Sequence, residues 1–437
     1  MHRLASAELR IHQSARAGFI RNVHRVGPFL FATSTESPCV KRCKLNKHRA
    51  CIGCGRTIDE ITSWSCMTTD ERVRVQARLD TALLTRIESA LDNKTKPQGS
   101  LGFLERIACR IAMIQRTDAP KITRARLLLF AADHGVAVNG VSAYPASVTA
   151  AMVRTAAAGG AAVSVLTRAV ADSWADIEII DVGVATPLTD VSGVVSQRVA
   201  SGTRDFLHDT AMTTLQCESA IRAGAEAVER AIALGADVIA LGEMGIGNTT
   251  SAAAVLSALT GAPVSETVGR GTGIDEPTLA HKQAVVECSV ARHRAVMHAA
   301  ADGAVDAMAV LTCVGGFELA AMAGAAIAAA AARRVVLVDG FIATSAVLAA
   351  AMIDPSVLDV IIFAHRSAER GHERALESFV ALGLPEVYAR PLLQLDLRLG
   401  EGSGAALALP LLRAAACMLS EMATFDSANV ARATDAA

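Results

Sequence analysis

Five short apolar runs recur along the chain, at residues 127–130, 177–180, 238–241, 335–338 and 360–363. Their length and their Val and Ile content are typical of buried β-strands. Ala-rich segments, which predict helices, separate several of them, at residues 146–170, 216–234, 249–260 and 317–332. Strands alternating with helices predict an α/β fold of Rossmann-like type, with a parallel sheet covered by helices on both faces.

Each apolar run ends in a loop that mixes polar residues with glycine or alanine, at residues 132–135, 181–183, 242–245, 339–341 and 364–367. In parallel sheets of this kind, ligands bind outside the carboxyl ends of the strands. Gly and Asp at a strand end are also ordinary turn and capping residues, which is a sufficient explanation for any single loop. Five such loops together favour one composite active site.

The charge balance narrows the class of protein. The net charge is -1, from 42 basic and 43 acidic side chains, so the sequence predicts no nucleic-acid partner and no binding to an anionic membrane. The longest apolar run, residues 319–332, is Ala-rich and too short to span a bilayer, so no membrane span is expected. Small molecules are the expected partners, and any anion site has to be local.

Composition divides the chain into three segments. Residues 1–36 form a leader, residues 37–80 a Cys-rich module and residues 81–437 the enzyme domain. The first thirty positions carry scattered Arg without a continuous apolar stretch, so a secretory signal is not expected. A flexible leader is the preferred interpretation, with a transit-like segment as the alternative.

Half of the ten cysteines fall between Cys39 and Cys66. Cys39, Cys43, Cys51 and Cys54 lie within sixteen residues, and the last two form a C-x2-C motif with an internal glycine. Four thiolates at this spacing suit zinc or an iron-sulfur cluster, and spacing alone does not separate the two. The other five cysteines are dispersed through apolar segments, which favours a reducing, cytoplasmic location.

The loop at residues 242–250 is the densest motif of the enzyme domain. Gly245 and Gly247 allow the backbone to approach a ligand, and Asn248 is a candidate N-cap for the helix that follows. The glycine spacing matches neither the dinucleotide fingerprint nor a Walker A loop. Glu243 therefore lies among donors suited to an anionic or hydroxylated ligand, with bracing of the loop as its alternative role.

A second glycine cluster, residues 269–273, is followed by Lys282. Backbone amides and one ammonium group can bind a phosphate monoester. Surface loops of this composition are common, so the motif alone leaves the phosphate role open.

A third loop, residues 397–404, places Glu401 between Gly400 and Gly402 just before a helix expected near Ala405. A carboxylate on such a backbone can point into a cleft as a general base. An apolar cleft would raise its pKa and improve it as a proton acceptor near neutrality. Interaction with the helix dipole is the alternative role.

Asp133 and His134 could belong to a metal site or a catalytic triad, but the rest of the sequence supports neither. No further His or Cys stands at ligand spacing in the enzyme domain, and no Ser lies in a nucleophile elbow. A loop histidine with its hydrogen bonds satisfied is the expected role of His134.

Taken together, these motifs resemble nicotinate-nucleotide:dimethylbenzimidazole phosphoribosyltransferases, nearly throughout the enzyme domain and in the family's order. The motifs that carry the resemblance lie at residues 96–102, 133–136, 242–250, 339–341, 365–369 and 398–404. The resemblance implies transfer of phosphoribose from nicotinate mononucleotide to 5,6-dimethylbenzimidazole, in assembly of the lower ligand of cobalamin. It also implies a homodimer, no cofactor for the transferase, and a smaller helical subdomain built from the flanking segments.

By the same resemblance, Glu401 is the general base and Glu243 a second active-site carboxylate. The substrate-binding residues that it implies are Tyr144, Pro145, Gly245, Gly247, Asn248, Gly271, Lys282, Arg398, Leu399 and Gly400. Gly271 and Lys282 belong to the phosphate site, Tyr144 and Pro145 lie beside the benzimidazole, and Arg398 and Leu399 flank the base.

The Cys-rich module resembles a small bacterial family described as predicted iron-sulfur proteins. Because this module could sense iron or redox state, a nucleotide-binding sensor without catalysis is the competing function. A pure binding protein needs no general base, so the Glu401 loop distinguishes the two.

Overall fold

A computed structural model of the chain describes residues 37–39, 43–46, 49–171, 173–299 and 303–431. The predicted leader, residues 1–36, lies outside the described residues. The strands are β1 (Ala125–Ala132), β2 (Ala175–Gly183), β3 (Val194–Ser196), β4 (Val238–Met244), β5 (Val335–Val338) and β6 (Ile361–Phe363).

The α-helices of the described residues, in chain order, are α1 (Ile58–Ser63), α2 (Thr69–Asp92), α3 (Phe103–Gln115), α4 (Val148–Ala157), α5 (Ala162–Ala171), α6 (Thr214–Ala233), α7 (Asn248–Thr260), α8 (Val264–Thr267), α9 (Glu276–Met297), α10 (Ala307–Val314), α11 (Phe317–Ala331), α12 (Phe341–Ile353), α13 (Gly371–Ala381), α14 (Glu386–Ala389), α15 (Ser403–Glu421) and α16 (Phe425–Ala428). Three short 3-10 helices, Trp64–Cys66, Gly135–Asn139 and Pro355–Asp359, complete the described elements.

Six strands form one sheet in the described part of the chain, in the order β3-β2-β1-β4-β5-β6. Every neighbouring pair is parallel. The predicted Rossmann-like sheet is thus confirmed, and only the three-residue edge strand β3 was not predicted. Because the chain winds outward in opposite directions from β1 and β4, a crevice is expected between the carboxyl ends of these two strands.

Helices cover the sheet in two groups. On one side α6 and α11 cross closely, since a Cβ at Gly224 would lie 1.8 Å from the Ala321 carbonyl oxygen and one at Gly324 2.0 Å from that of Ile221. On the other side α15 packs with α3 and α5. The prediction of helices on both faces is therefore correct.

The single helix predicted over residues 146–170 is wrong in one respect. The structure has two helices there, α4 and α5, interrupted at Gly159 and Gly160. Gly159 has a φ of +80°, a left-handed conformation that favours glycine and ends α4. The break matters because it places the first turn of α5 beside the active-site loops.

The flanking segments meet at one edge of the domain. Lys94 pairs with Thr424 in an isolated bridge, and its Nζ donates to the Met422 carbonyl at 2.7 Å. Helix α2 leads from the Cys-rich module into this region and buries Leu83, Ile87 and Leu91. The loop at Gly55 packs against the middle of α2, since a Cβ at Gly55 would lie 2.9 Å from Cδ2 of Leu79.

Two described segments, Val148–Ala171 and Ser403–Glu421, are long and apolar enough to cross a membrane by length and composition alone. The first is interrupted at Gly159 and Gly160, and 39% of its most apolar window is buried inside the fold, against 56% in the second. Helix α11, which contains most of the apolar run at 319–332, is almost wholly buried.

Candidate active site

Glu243 and Glu401 lie against each other at the carboxyl edge of the sheet. Glu243 is near the end of β4 and 4% exposed, and Glu401 is in the loop before α15 and 2% exposed. The chain at Gly400 passes so close to Glu243 that a Cβ there would lie 2.1 Å from Oε1. The structure therefore brings the two sequence-predicted glutamates into one buried cluster.

The Glu401 loop has an unusual backbone. Gly400, Glu401 and Gly402 have φ values of +82°, +64° and +86°, so three consecutive residues are left-handed. A non-glycine residue in this region is costly and persists only where its surroundings impose it. Gly242 on β4 is part of those surroundings, since a Cβ there would lie 2.5 Å from the Glu401 carbonyl oxygen.

Asp339 fixes the other side of this loop. It follows β5, and its Oδ1 accepts the backbone N–H of Ala405 at 2.8 Å, with the N–H groups of Gly402 and Gly404 also directed at the carboxylate. His365 Nε2 lies 3.6 Å from the same Oδ1. Asp339 thus joins the end of β5 to the start of α15, which begins at Ser403, slightly earlier than the predicted Ala405.

The Glu401 carboxylate is only partly satisfied. Its Oε2 accepts the backbone N–H of Val163 at 3.4 Å, in the first turn of α5. Its Oε1 has no hydrogen-bond partner within the described residues. Burial raises the pKa of Glu401, the Val163 N–H opposes this by lowering it, and the charge of Asp339 raises it further. A raised pKa and an oxygen without a partner are features that suit a proton acceptor.

Glu243 is held by Asn248, whose Nδ2 donates to Oε2. The prediction that Asn248 caps α7 is therefore wrong: Gly247, with a φ of +95°, occupies the N-cap position and Asn248 is the first helical residue. Burial raises the pKa of Glu243 well above its ordinary value, and the charges of Asp339, Glu318 and Glu401 raise it further.

His134 forms a buried pair with Glu318, with His134 Nε2 and Glu318 Oε1 2.6 Å apart and both side chains fully buried. The expectation of a loop histidine with its hydrogen bonds satisfied holds only for Nε2, because Nδ1 of His134 has no hydrogen-bond partner within the described residues. Glu318 was missed at the sequence level because it lies in the first turn of α11, where an acidic residue is common and needs no further role.

Lys282 and the glycines at 269–273 form the cationic half of the site. Lys282 Nζ donates to Thr249 Oγ1 at 2.8 Å and to the Gly269 carbonyl at 3.3 Å. The side chain is 1% exposed, and burial lowers the pKa of Lys282 to about 8. Arg398 donates to the Gly271 carbonyl at 3.0 Å. Gly271 and Lys282, which the resemblance assigns to a phosphate site, therefore lie together in the fold. The contact of Arg398 with the same loop was not predicted.

Two pairs of nearby residues connect the acidic and cationic halves. At the start of α7, Asn248 contacts Glu243 and its neighbour Thr249 contacts Lys282. In the loop before α15, Arg398 binds the 269–273 loop while Glu401 lies beside Glu243. One ligand with an anionic end and a reactive centre could therefore contact both halves.

Tyr144, Pro145 and Leu399 lie at the surface, with Tyr144 52% and Leu399 58% exposed. The segment after Pro145 is tied to the glycine loop of β4 through Thr149, whose Oγ1 accepts the Ile246 N–H at 3.1 Å. These three side chains are not packed into the core, so they are accessible to a ligand.

In the Cys-rich module, Cys39 and Cys43 are exposed, Cys51 is buried and Cys54 is half-buried. The Cys39 thiol raises the pKa of Cys43, with smaller contributions from burial, Cys51 and Cys54. Backbone N–H groups of Cys54 and Gly53 lower the pKa of Cys51. No group of three or more potential ligands has the geometry of a formed metal site in the described part of the chain.

Comparison with known proteins shows which class of enzyme the chain resembles. A family model described as phosphoribosyltransferase matches residues 77–430, and one described as a protein of unknown function (DUF1289) matches residues 37–83. A relative from Cupriavidus necator is 49% identical over 356 residues, covering 82% of this chain and 97% of the relative. One from Dechloromonas aromatica is 46% identical over 351 residues, covering 80% and 96%. Both are named nicotinate-nucleotide:dimethylbenzimidazole phosphoribosyltransferase.

Solved structures agree. CobT from Thermus thermophilus superposes with a TM-score of 0.74 at 42% identity, covering 80% of this chain and 99% of that one. The nicotinate-nucleotide:dimethylbenzimidazole phosphoribosyltransferase structure from the same organism gives a TM-score of 0.72 at 41% identity, with the same coverage. The chain belongs to the nicotinate-nucleotide:dimethylbenzimidazole phosphoribosyltransferase family, and the resemblance drawn from its motifs is confirmed.

Proposed function

We propose that this chain transfers phosphoribose from nicotinate mononucleotide to 5,6-dimethylbenzimidazole, forming α-ribazole 5′-phosphate and nicotinate for the lower ligand of cobalamin. Membership of the family supports the reaction. The structural observation that carries it is the Glu401 carboxylate, which is buried, has one oxygen without a partner in the described residues and has a raised pKa. Such a group suits proton abstraction better than passive binding.

The chemistry requires one base. A ring nitrogen of the benzimidazole attacks the anomeric carbon while the bond from that carbon to the pyridinium nitrogen breaks, and its electron pair leaves with nicotinate. Glu401 takes the proton from the other ring nitrogen. In-line attack inverts the β-linkage to α. Because the leaving ring loses its positive charge, no divalent cation is needed to stabilise it, unlike a pyrophosphate leaving group.

The remaining site residues bind and orient the substrates. Gly271 and Lys282 bind the phosphate of the nucleotide, and Gly245, Gly247 and Asn248 supply backbone and amide contacts beside it. This positioning lowers the entropic cost of bringing two substrates together. Glu243 acts as the second carboxylate, held by Asn248 and adjacent to Glu401.

The benzimidazole binds between the outer loops. Tyr144 and Leu399 are exposed and offer apolar surface to a flat ring, with Pro145, Arg398 and Gly400 beside them. Burial of that surface by the ring would favour binding, at roughly 25 cal/mol per Å² of apolar area removed from water.

The chain has three parts in this proposal: a leader (1–36), a metal-binding module (37–80) and the transferase domain (81–437). The module binds zinc or an iron-sulfur cluster through Cys39, Cys43, Cys51 and Cys54, whose soft thiolates suit either group. The enzyme is a cytoplasmic homodimer without a membrane span, and its transferase reaction uses no cofactor.

The function is tested with purified protein, nicotinate mononucleotide and dimethylbenzimidazole, without added metal. Mass spectrometry should detect α-ribazole 5′-phosphate and an equal amount of nicotinate. A sensor without catalysis would instead bind the mononucleotide and leave it unchanged. Binding of both substrates by folded protein without any product would reject the transferase function.

A further inference from the structure

Glu369 is a buried carboxylate beneath the 269–273 loop, to which neither the motifs nor the reaction gives a role. It lies just before α13 and is 7% exposed. The loop passes so close that a Cβ at Gly269 would lie 2.0 Å from Glu369 Oε2. The backbone N–H of Gly271 is directed at the same carboxylate. Glu369 therefore contacts the loop at two of its glycines, Gly269 and Gly271.

Lys282 meets this loop from another side. Its Nζ donates to the Gly269 carbonyl and to Thr249, both uncharged. None of the ion pairs of the described residues includes Lys282. A buried ammonium without a counter-charge loses its proton readily. The charge of the Glu369 carboxylate opposes this loss by raising the pKa of Lys282.

The other charged groups around this pair are cations or are paired elsewhere. Burial raises the pKa of Glu369, whereas Lys282, the Gly271 N–H and Arg398 lower it. Arg398 also donates to the Gly271 carbonyl, while Arg270, from the loop itself, pairs with Glu276 at the start of α9. Glu369 Oε2 has no hydrogen-bond partner in the described part of the chain. The negative charge facing Lys282 is thus supplied by Glu369.

We infer that Glu369 is a positioning residue for the phosphate site: it holds the 269–273 loop in place and keeps the Lys282 ammonium charged to receive a phosphate monoester. This inference rests on the proposed function only in taking that anion to be the 5′-phosphate of the nucleotide. Glu369 touches neither reacting atom. It acts through Lys282 and through the glycine amides.

The direction of the pH effect follows from the charges. Lys282 has a pKa of about 8, lowered by burial and raised by Glu369. Without the Glu369 charge the pKa falls, so the ammonium is lost at a lower pH. Phosphate binding should then fail first on the alkaline side, while at mildly acidic pH Lys282 stays charged in either protein. A shift of one pKa unit corresponds to about a tenfold change in the charged fraction above the pKa.

The test compares the wild-type protein with E369Q, using inorganic phosphate as the probe in calorimetry at about pH 6.5 and about pH 8.5, on either side of the Lys282 pKa. We expect E369Q to weaken phosphate binding about tenfold at the higher pH and about twofold or less at the lower pH. The matched control is E373Q, the same change at an exposed glutamate of α13 that pairs with Arg366. It should behave as wild type at both values.

Equal weakening at both pH values, or none, would overturn the inference, as would a wild-type protein that binds no phosphate. If circular dichroism shows that E369Q does not fold, E369D replaces it, because it keeps the charge and should retain most of the phosphate binding at the higher pH. Loss of phosphate binding by folded E369D at that pH would overturn the role of the charge. A wild-type protein that binds phosphate with this dependence but forms no ribotide would reject the proposed function and leave this inference standing. In active protein, KM for nicotinate mononucleotide should rise with little change in kcat.

Discussion

The Glu401 carboxylate and the backbone N–H of Val163 lie 3.4 Å apart, joining the loop before α15 to the first turn of α5. This contact favours the charged form of the carboxylate, whereas burial and the neighbouring Asp339 favour the neutral form. Burial is the largest of these effects, so the pKa of Glu401 is raised. The carboxylate is thereby a stronger base than an exposed glutamate.

Glu401→Gln should abolish most of the transfer activity while preserving the fold. The amide keeps the size of the side chain but cannot accept the benzimidazole proton, and a general base contributes typically about 10²- to 10⁴-fold. In the wild-type enzyme, kcat should fall as pH drops through the raised pKa of Glu401, because the base is then protonated. Initial rates of nicotinate release across pH measure both effects.

Glu421→Gln, the same change at the exposed end of α15, is the control and should leave the rate and its pH profile unchanged. Full activity in Glu401→Gln would remove Glu401 from the mechanism.

Asp339→Asn should shift the acidic side of the pH profile towards lower pH. Asp339 raises the pKa of Glu401 by its charge, so neutralising it lowers that pKa and keeps the base ionised to a lower pH. The variant should also lose about 1 to 3 kcal/mol of stability, because charge-assisted bonds to the start of α15 become neutral ones. The pH-rate profile measures the shift, and urea unfolding measures the loss of stability.

Asp237→Asn is the matched control at the opposite edge of the sheet. Asp237 likewise accepts backbone N–H groups, from Thr123 at 2.7 Å and Arg124 at 3.2 Å. We expect it to lower stability without moving the pH profile. A profile that moves equally in both variants would mean that Asp339 acts through general stability and not through its charge on Glu401.

The sequence is informative about local features and much less so about contacts between distant segments. Alternating apolar runs and Ala-rich segments predicted the parallel sheet, but the position of β1 and β4 at its centre depends on how all strands pair. Glu401 was predicted from its flanking glycines, whereas Val163 lies 238 residues away in the sequence. Asn248 was predicted to be a helix cap because Asn is common at that position. In the structure its side chain instead donates to Glu243.

Asp339 illustrates the same limit. Its motif contributed to the family resemblance, but its function as the anchor of the Glu401 loop arises only where the end of β5 meets the start of α15. The left-handed backbone at Glu401 likewise has no cause in the residue type, and it occurs where the loop packs against Gly242.

Gly400→Ala should disturb the site more than its backbone conformation alone requires. Gly400 has a φ of +82°, and a Cβ there would lie 2.1 Å from Glu243 Oε1. Gly235 has nearly the same φ, +85°, with nothing near its Cβ position. The Gly235→Ala control should cost about 1 to 2 kcal/mol from the left-handed conformation, and Gly400→Ala should cost more and lose activity.

Urea unfolding and nicotinate release separate the two effects. Because the two glycines share a backbone conformation, the excess in Gly400→Ala reports the clash with Glu243. Equal losses of stability, with activity retained in both variants, would show that the contact between the loop and Glu243 is unimportant for transfer.

The Cys-rich module should bind about one zinc ion or one iron-sulfur cluster per chain through its four clustered thiols. Arg56 supports a charged site there, since its Nε lies 3.4 Å from Cys54 Sγ and its guanidinium stacks on Trp64. Cys51→Ser removes the thiol that receives the backbone N–H groups of Gly53 and Cys54, and it should lose the metal. Cys66→Ser, at an exposed cysteine outside the quartet, should keep it.

Elemental analysis of anaerobically purified protein gives the metal content, and the visible spectrum distinguishes the two groups. A colourless protein with stoichiometric zinc excludes the cluster, whereas absorption in the visible region with iron and sulfide excludes zinc as the resident metal. Metal binding should release protons, because thiols ligate as thiolates. Wild-type protein without metal, or Cys51→Ser with its full metal content, would contradict the assignment of this module.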